Sequence, residues 1–226
     1  MRRPFVLVGV LIVLGAQASI AAAAPRIGLS AFGGYQAFAM GDINDRIHAV
    51  DDALSSPGDL ANIDELRGNW TWGLAAKMDL NPTWRAYLEY EYLRDDTGFG
   101  NTNGQFQIKP NANSVLLGGT YFFPPKDKVR FGLGAGVGYY AFGGSVNSSL
   151  TWYTSSKTGS LDLGGSTVGF HTRGEMDVTM SPVWHFDAAL GYRWASGTLQ
   201  VDGDDAPVDL DWTGLMTRLG VTYFVR

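Results

Sequence analysis

The sequence predicts an all-β chain folded as an eight-stranded antiparallel transmembrane β-barrel, with a helical insert in its first long loop. Three observations carry this reading. Hydropathy alternates with period two in eight segments, tight and long joins alternate between those segments, and the apolar faces hold many aromatic side chains.

Composition narrows the classes first. The chain has 226 residues, 45% hydrophobic and 13% aromatic, which is too apolar for a disordered chain. Its 30 glycines keep no period of three, so it is not collagenous, and without cysteine it can form neither a disulfide framework nor a thiolate metal site. A net charge of −5 argues against nucleic acid as a partner. At the N-terminus, Arg2 and Arg3 precede an apolar run from Phe5 to Leu14, and Ala21 to Ala23 supply small residues for cleavage. Residues 1–23 therefore read as a secretory signal peptide and residues 24–226 as the barrel. The cut is placed after Ala23 because proline directly after the cleaved bond is poorly tolerated. Removing Arg2 and Arg3 leaves 15 basic against 22 acidic residues, a charge of −7. No later apolar run approaches ~20 residues, so any membrane crossing is made by strands.

The first strand runs from Ile27 to Phe38 and is the least polarised. A helix is expected next, capped by Asp42, with Ile43, Ile47, Val50 and Leu54 on one stripe until Ser55-Ser56-Pro57-Gly58 stops it. A second helical turn is expected on Leu60, Ile63 and Leu66. The second strand sets Trp70, Trp72, Leu74, Ala76, Met78 and Leu80 against Thr71, Gly73, Ala75, Lys77 and Asp79. In the third, Trp84, Ala86, Leu88, Tyr90 and Tyr92 oppose Arg85, Tyr87, Glu89 and Glu91. The fourth covers 114–123 and the fifth 129–140, where Arg130, Gly132, Gly134, Gly136 and Gly138 share the polar face. The sixth, 167–179, places His171, Arg173, Glu175 and Asp177 on one face. The seventh, 184–194, does the same with His185, Asp187 and Arg193, and the last puts Leu215, Leu219, Val221 and Tyr223 opposite Arg218.

Asn81-Pro82, Pro124 to Lys128 and Ser181-Pro182 are tight joins, whereas 39–68, 95–110, 143–165 and 197–210 are long loops. All short turns thus fall at one end, where an outer-membrane barrel faces the periplasm. A soluble barrel would alternate likewise with its apolar face enclosed. Three features favour the apolar face being outside. Glycines stack on the polar face, where a narrow lumen needs room. Aromatics sit at strand ends on the apolar face, as interfacial girdles do, and an eight-stranded lumen is too small to hold that many rings.

These residues resemble the small eight-stranded outer-membrane β-barrels, such as the membrane domain of outer membrane protein A and its relatives X and W, over essentially all of the mature chain. The resemblance implies residence in the bacterial outer membrane, contact with its lipid, and a last strand (Leu215, Leu219, Val221, Tyr223, with Phe224 beside them) read by the barrel-assembly machinery. The terminal Val225-Arg226 departs from the aromatic on which the family commonly ends.

The lumen face collects Lys77, Asp79, Arg85, Glu89, Glu91, Arg130, His171, Arg173, Glu175, Asp177, His185, Asp187, Arg193 and Arg218. Unpaired, such charges cost several kcal/mol each, so they are expected to pair across the lumen. They form either a structural core or an ion gate, and narrowness favours the core. The helix bearing Ile43, Ile47, Val50 and Leu54 is expected to lie over the mouth as a lid, the alternative being a helix resting on neighbouring loops. Lipid-modifying barrel enzymes share the architecture, but the histidines fall on the polar face without a His-x-Ser motif on a lipid-facing strand. No catalytic residue is therefore expected. Asp202, Asp204, Asp205, Asp209 and Asp211 lack the glycine and glutamate of an EF-hand loop, and the Gly132 to Gly138 run opens no helix, so neither metal nor cofactor is expected. The resulting expectation is a structural or surface-interacting barrel without catalysis. A narrow channel for small solutes and a lipid-modifying enzyme are the alternatives.

Overall fold

The computed structural model describes residues 25–54, 63–101, 104–152, 155–201 and 204–225, so the expected signal peptide lies outside the described residues. Its strands are β1 (Arg26–Ala37), β2 (Gly68–Asp79), β3 (Trp84–Arg94), β4 (Thr97–Asn101), β5 (Gly104–Phe122), β6 (Val129–Trp152), β7 (Ser155–Thr179), β8 (Trp184–Trp194), β9 (Ser196–Val201), β10 (Asp204–Asp211) and β11 (Gly214–Phe224), with helix α1 (Gly41–Leu54) after β1. Eight of these strands make the wall. β1 pairs with β2, then β3, β5, β6, β7, β8 and β11 follow in turn, and β11 returns to β1, every pairing antiparallel. Closure leaves the wall without a free edge, the condition for strands to lie in hydrocarbon.

Side-chain alternation decides which face goes where, and the burial is inside out for a water-soluble protein. Trp70 and Val168 are 73% and 72% exposed, while Arg85, Glu91 and Arg193 are 1%, 0% and 0% exposed. Outward rings cluster toward both rims. Trp84, Tyr121 and Phe123 stand at the short-turn end, with ring centroids 5.2 and 5.6 Å apart, and Trp184 and Tyr223 join them 5.0 Å apart. Trp72, Tyr90 and Tyr92 do the same at the other end. The glycines on the inner face make room for opposing side chains. A Cβ on Gly136 would stand 2.8 Å from the His171 ring, and one on Gly118 would stand 2.3 Å from the Tyr87 hydroxyl.

The tight joins follow from local hydrogen bonding. The Asn81 side-chain oxygen accepts from the backbone N–H groups of Thr83 and Trp84, and the Ser181 hydroxyl oxygen accepts from Trp184 N–H. The long joins depart from expectation. Three segments read as loops are largely strand: β6 runs 24 residues to Trp152 and β7 begins at Ser155, well beyond the ~10 residues a crossing needs. Likewise β4 pairs with the start of β5, and β9 with β10. Polar Ser, Thr and Asn obscured the alternation there, because a strand standing above a bilayer has no lipid-facing apolar side to declare, even where Ile108, Val146 and Leu210 pack into the apolar cluster beneath.

The helical insert is present. α1 starts at Gly41, so Asp42 lies in its first turn, where a carboxylate complements the helix dipole, instead of capping it. The expected second helical turn is corrected: residues 63–67 are irregular, and Leu60 lies outside the described residues. Hydrogen bonding explains this. The Asn44 amide donates to Leu66 O (3.0 Å) and its oxygen accepts from Leu66 N–H (2.8 Å), while Arg67 O accepts from Phe38 N–H and Asp64 O from the Thr97 hydroxyl, so these backbone groups find partners outside the segment without coiling.

Candidate functional site

Three levels fill the barrel, and the short-turn end carries the first. Phe122 and Phe224, 0% and 1% exposed, point inward as a floor. Arg130 and Arg85 lie over the Phe122 ring at 4.3 and 5.0 Å, and Arg26 lies over Phe224 at 4.6 Å. Phe224 thus belongs to the lumen, and Tyr223 is the last outward aromatic.

Above the floor lies an aspartate layer. Arg85 pairs with Asp79 (2.7 Å) and Asp177 (2.8 Å), and Arg130 with the same two acids at 3.1 and 3.2 Å. Lys77 binds Asp187 at 2.9 Å and donates to the Thr222 hydroxyl at 3.1 Å. His185 Nδ1 stands 2.8 Å from Asp177. The next layer uses glutamates. Arg173 makes a two-pronged contact with Glu89, both hydrogen bonds 2.8 Å long, and also holds Glu175, which accepts from Thr120 at 2.9 Å. Arg218 bridges Glu89 (2.5 Å) and Glu91 (3.0 Å), and Arg193 holds Glu91 and the Gln36 oxygen. His171 Nε2 meets the Tyr87 hydroxyl at 2.8 Å. Leaving the histidines aside, each layer therefore balances Lys and Arg against an equal number of acids. The described cavity between the layers, lined by Lys77, Glu89, Arg173, Glu175, Asp187 and Arg218 among others, is about 30 Å³ and takes a water or two.

The third level is apolar. Met40, Ile43 and Ile47 of the α1 region pack with Phe38, Ile63, Leu66, Leu93, Phe142, Leu210 and Trp212. The Trp212 ring meets Phe38 edge-on at 4.5 Å and stacks on Phe142 at 6.4 Å. Val50 and Leu54 lie on α1, but their side chains are outside the described residues. Glu65 ties α1 to the chain before β2, accepting from Arg67 and meeting His48, each at 2.9 Å. The Arg67 guanidinium, and then His48, hold the Glu65 carboxyl below the usual carboxylate range. A substitution tests the attachment. Asn44→Ala removes both hydrogen bonds to Leu66 and leaves a buried amide and carbonyl unpaired. Amide exchange at residues 41–67 should then quicken by roughly one to two orders of magnitude while the wall strands keep their protection; unchanged exchange would mean that the apolar contacts alone fix the helix.

The structure thus brings every charged residue and histidine assigned to the lumen from the sequence into that lumen, in two layers, and sets Ile43 and Ile47 above them. It adds neutral members that were left out of the lumen set read from the sequence: Gln36, Tyr87, Thr120, Thr222, Phe122 and Phe224. Position on the polar face was the available signal, and their lack of charge hid it. Among the described residues no group of three or more histidines and acids is placed to hold a metal. In the last hairpin Asp209 accepts from the Thr198 hydroxyl and Asp211 from Thr213 N–H; Asp202 and the side chains of Asp204 and Asp205 lie outside the described residues.

A closed antiparallel barrel with hydrocarbon-compatible side chains outside and its charges within is an integral outer-membrane β-barrel. The family model for the outer membrane protein beta-barrel domain matches residues 5–223, and the chain belongs to that family and to the bacterial outer membrane. Among solved structures, a major outer membrane protein from Thermus thermophilus is similar with a TM-score of 0.52 at 12% identity, covering 90% of this chain and 100% of that one. The outer membrane protein OprG from Pseudomonas aeruginosa gives 0.47 at 14% identity, covering 89% and 94%. No curated protein matches the chain in sequence.

Proposed function

We propose that the protein is a non-conducting, non-catalytic barrel that serves the envelope structurally and presents an acidic outer rim for surface contacts. The observation that carries this reading is the filled lumen. Two separately neutral ion layers leave room for a water or two between them, with an aromatic floor beneath and an apolar cap above. A hydrated ion crossing it would have to break paired, desolvated charges and then pass a dry segment, and each step is costly. In this reading α1 is a lid on the cap. Exposed Asp42, Asp45, Asp64, Asp96 and Asp209 give the rim its sign. The absence of catalysis is supported by the histidine environments. His185 has its acid partner in Asp177, but its Nε2 meets no hydroxyl, and the hydrogen-bond partner of His171 is the Tyr87 phenol, both among the described residues.

The test is a planar-bilayer recording of the full chain beside a lipid-release assay. The expected result is silence in both. Stable single-channel openings would replace the structural reading with transport, and released fatty acid would replace it with an enzyme.

A further inference from the structure

The exposed cations are unevenly partnered. Each lumen cation faces a carboxylate, and at the outer rim Arg67 pairs with Glu65 and Arg94 with Asp96, while half-buried Lys109 stands alone there without an ion pair among the described residues. At the short-turn end the pattern changes. Lys126 and Lys128 are exposed, and neither side chain makes an ion pair or hydrogen bond among the described residues. Asp127, between them, is the one exposed carboxylate described at that end, and Arg26 adds a third cation there, donating to Pro182 O at 2.8 Å.

The backbone under the two lysines is fixed. Lys126 and Val129 exchange backbone hydrogen bonds of 2.9 and 3.1 Å, and Thr179 N–H donates to Lys128 O at 2.8 Å. Asp127 takes φ of 58°, the left-handed conformation that closes the turn. Only the side chains are uncommitted. Beside the turn, outward Phe123 and Phe131 continue the aromatic belt of Trp84 and Tyr121. This places the ammonium groups at the headgroup level of the periplasmic leaflet, with their methylene stems along the belt.

We propose that the Lys126-Asp127-Lys128 turn binds the headgroup of an anionic phospholipid in that leaflet. Two ammonium groups and one carboxylate leave the turn a net positive charge, which attracts a phosphate carried on a net-negative headgroup. A zwitterionic headgroup brings its own cation and gains less. The inference goes beyond the structural role above and stands whether or not the lumen conducts.

The full chain is reconstituted in nanodiscs of equal phosphatidylglycerol and phosphatidylcholine, transferred to mild detergent, and its retained lipids are weighed by native mass spectrometry. Wild type is expected to retain phosphatidylglycerol in preference. Lys126→Gln with Lys128→Gln should cut that preference by roughly five-fold for each lysine, and Lys109→Gln, on β5 at the other rim, should leave it intact. The heat-dependent gel shift verifies that each variant is folded. Equal retention of the two lipids by wild type, an undiminished preference in the double variant, or an equal loss in Lys109→Gln would overturn the proposal.

Discussion

Replacing Glu91 by alanine is expected to lower the unfolding free energy by about 3–5 kcal/mol, because two buried guanidinium groups lose the carboxylate they share. Glu91 is fully buried and receives Arg193, Arg218 and the Gln36 amide. Removing it takes away one of the two carboxylates that Arg218 bridges and the one carboxylate that Arg193 meets among the described residues, in a lumen with little water to replace it. The cost arises from the charge left behind more than from the lost attraction, since a buried pair and its desolvation nearly cancel. Removing both partners together should therefore recover much of the loss: Glu91→Leu combined with Arg193→Leu should be milder than Glu91→Ala alone. Urea titration in lipid vesicles, followed by the heat-dependent gel shift, reads both. A loss under about 1 kcal/mol in Glu91→Ala would show that solvent reaches the glutamate layer, and with it that the lumen is open.

Leu117→Arg should cost about 2–4 kcal/mol, although the side chain it replaces is 58% exposed. On a water-soluble protein such a substitution is close to neutral. Here Leu117 pairs with Leu88 on β3 and with Val137 on β6, and that row lies midway between the two aromatic rims, where hydrocarbon surrounds the wall. The same vesicle unfolding measurement applies, with Arg at exposed Asp209 as the comparison, since that position stands above the bilayer and should change little. A neutral Leu117→Arg would mean that the apolar face meets water, contradicting the membrane-spanning wall.

The two substitutions probe opposite faces of one alternation, and that alternation was the legible part of the fold. Trp70 to Leu80 and Trp84 to Tyr92 declare themselves because one face meets lipid and the other meets charge, so each residue is forced to one of two chemistries. Lys77, Arg85, Glu89 and Glu91 could be assigned to one face by parity alone. Beyond the bilayer that contrast disappears, which is why β6 and β7 continue unannounced through Ser145 to Trp152 and onward from Ser155. The helix declared itself by Ile43 and Ile47 at helical spacing, whereas the irregular path of Ile63 to Leu66 did not, because the Asn44 side chain satisfies it from a distance in sequence.

Reading the residues in order is enough to obtain the period, and with it the number of wall strands, the end at which the short turns gather and the side of the wall on which each residue falls. These are local properties, set by successive side chains pointing to opposite faces. Which side chain meets which is settled only when the wall closes: Arg173 clasps Glu89 from 84 positions away, glutamates and aspartates sort into separate neutral layers, and Phe224 turns in to seal the floor while Tyr223 turns out. Those outcomes depend on the stagger with which eight strands close on themselves, a quantity that the hydropathy of any one strand does not contain.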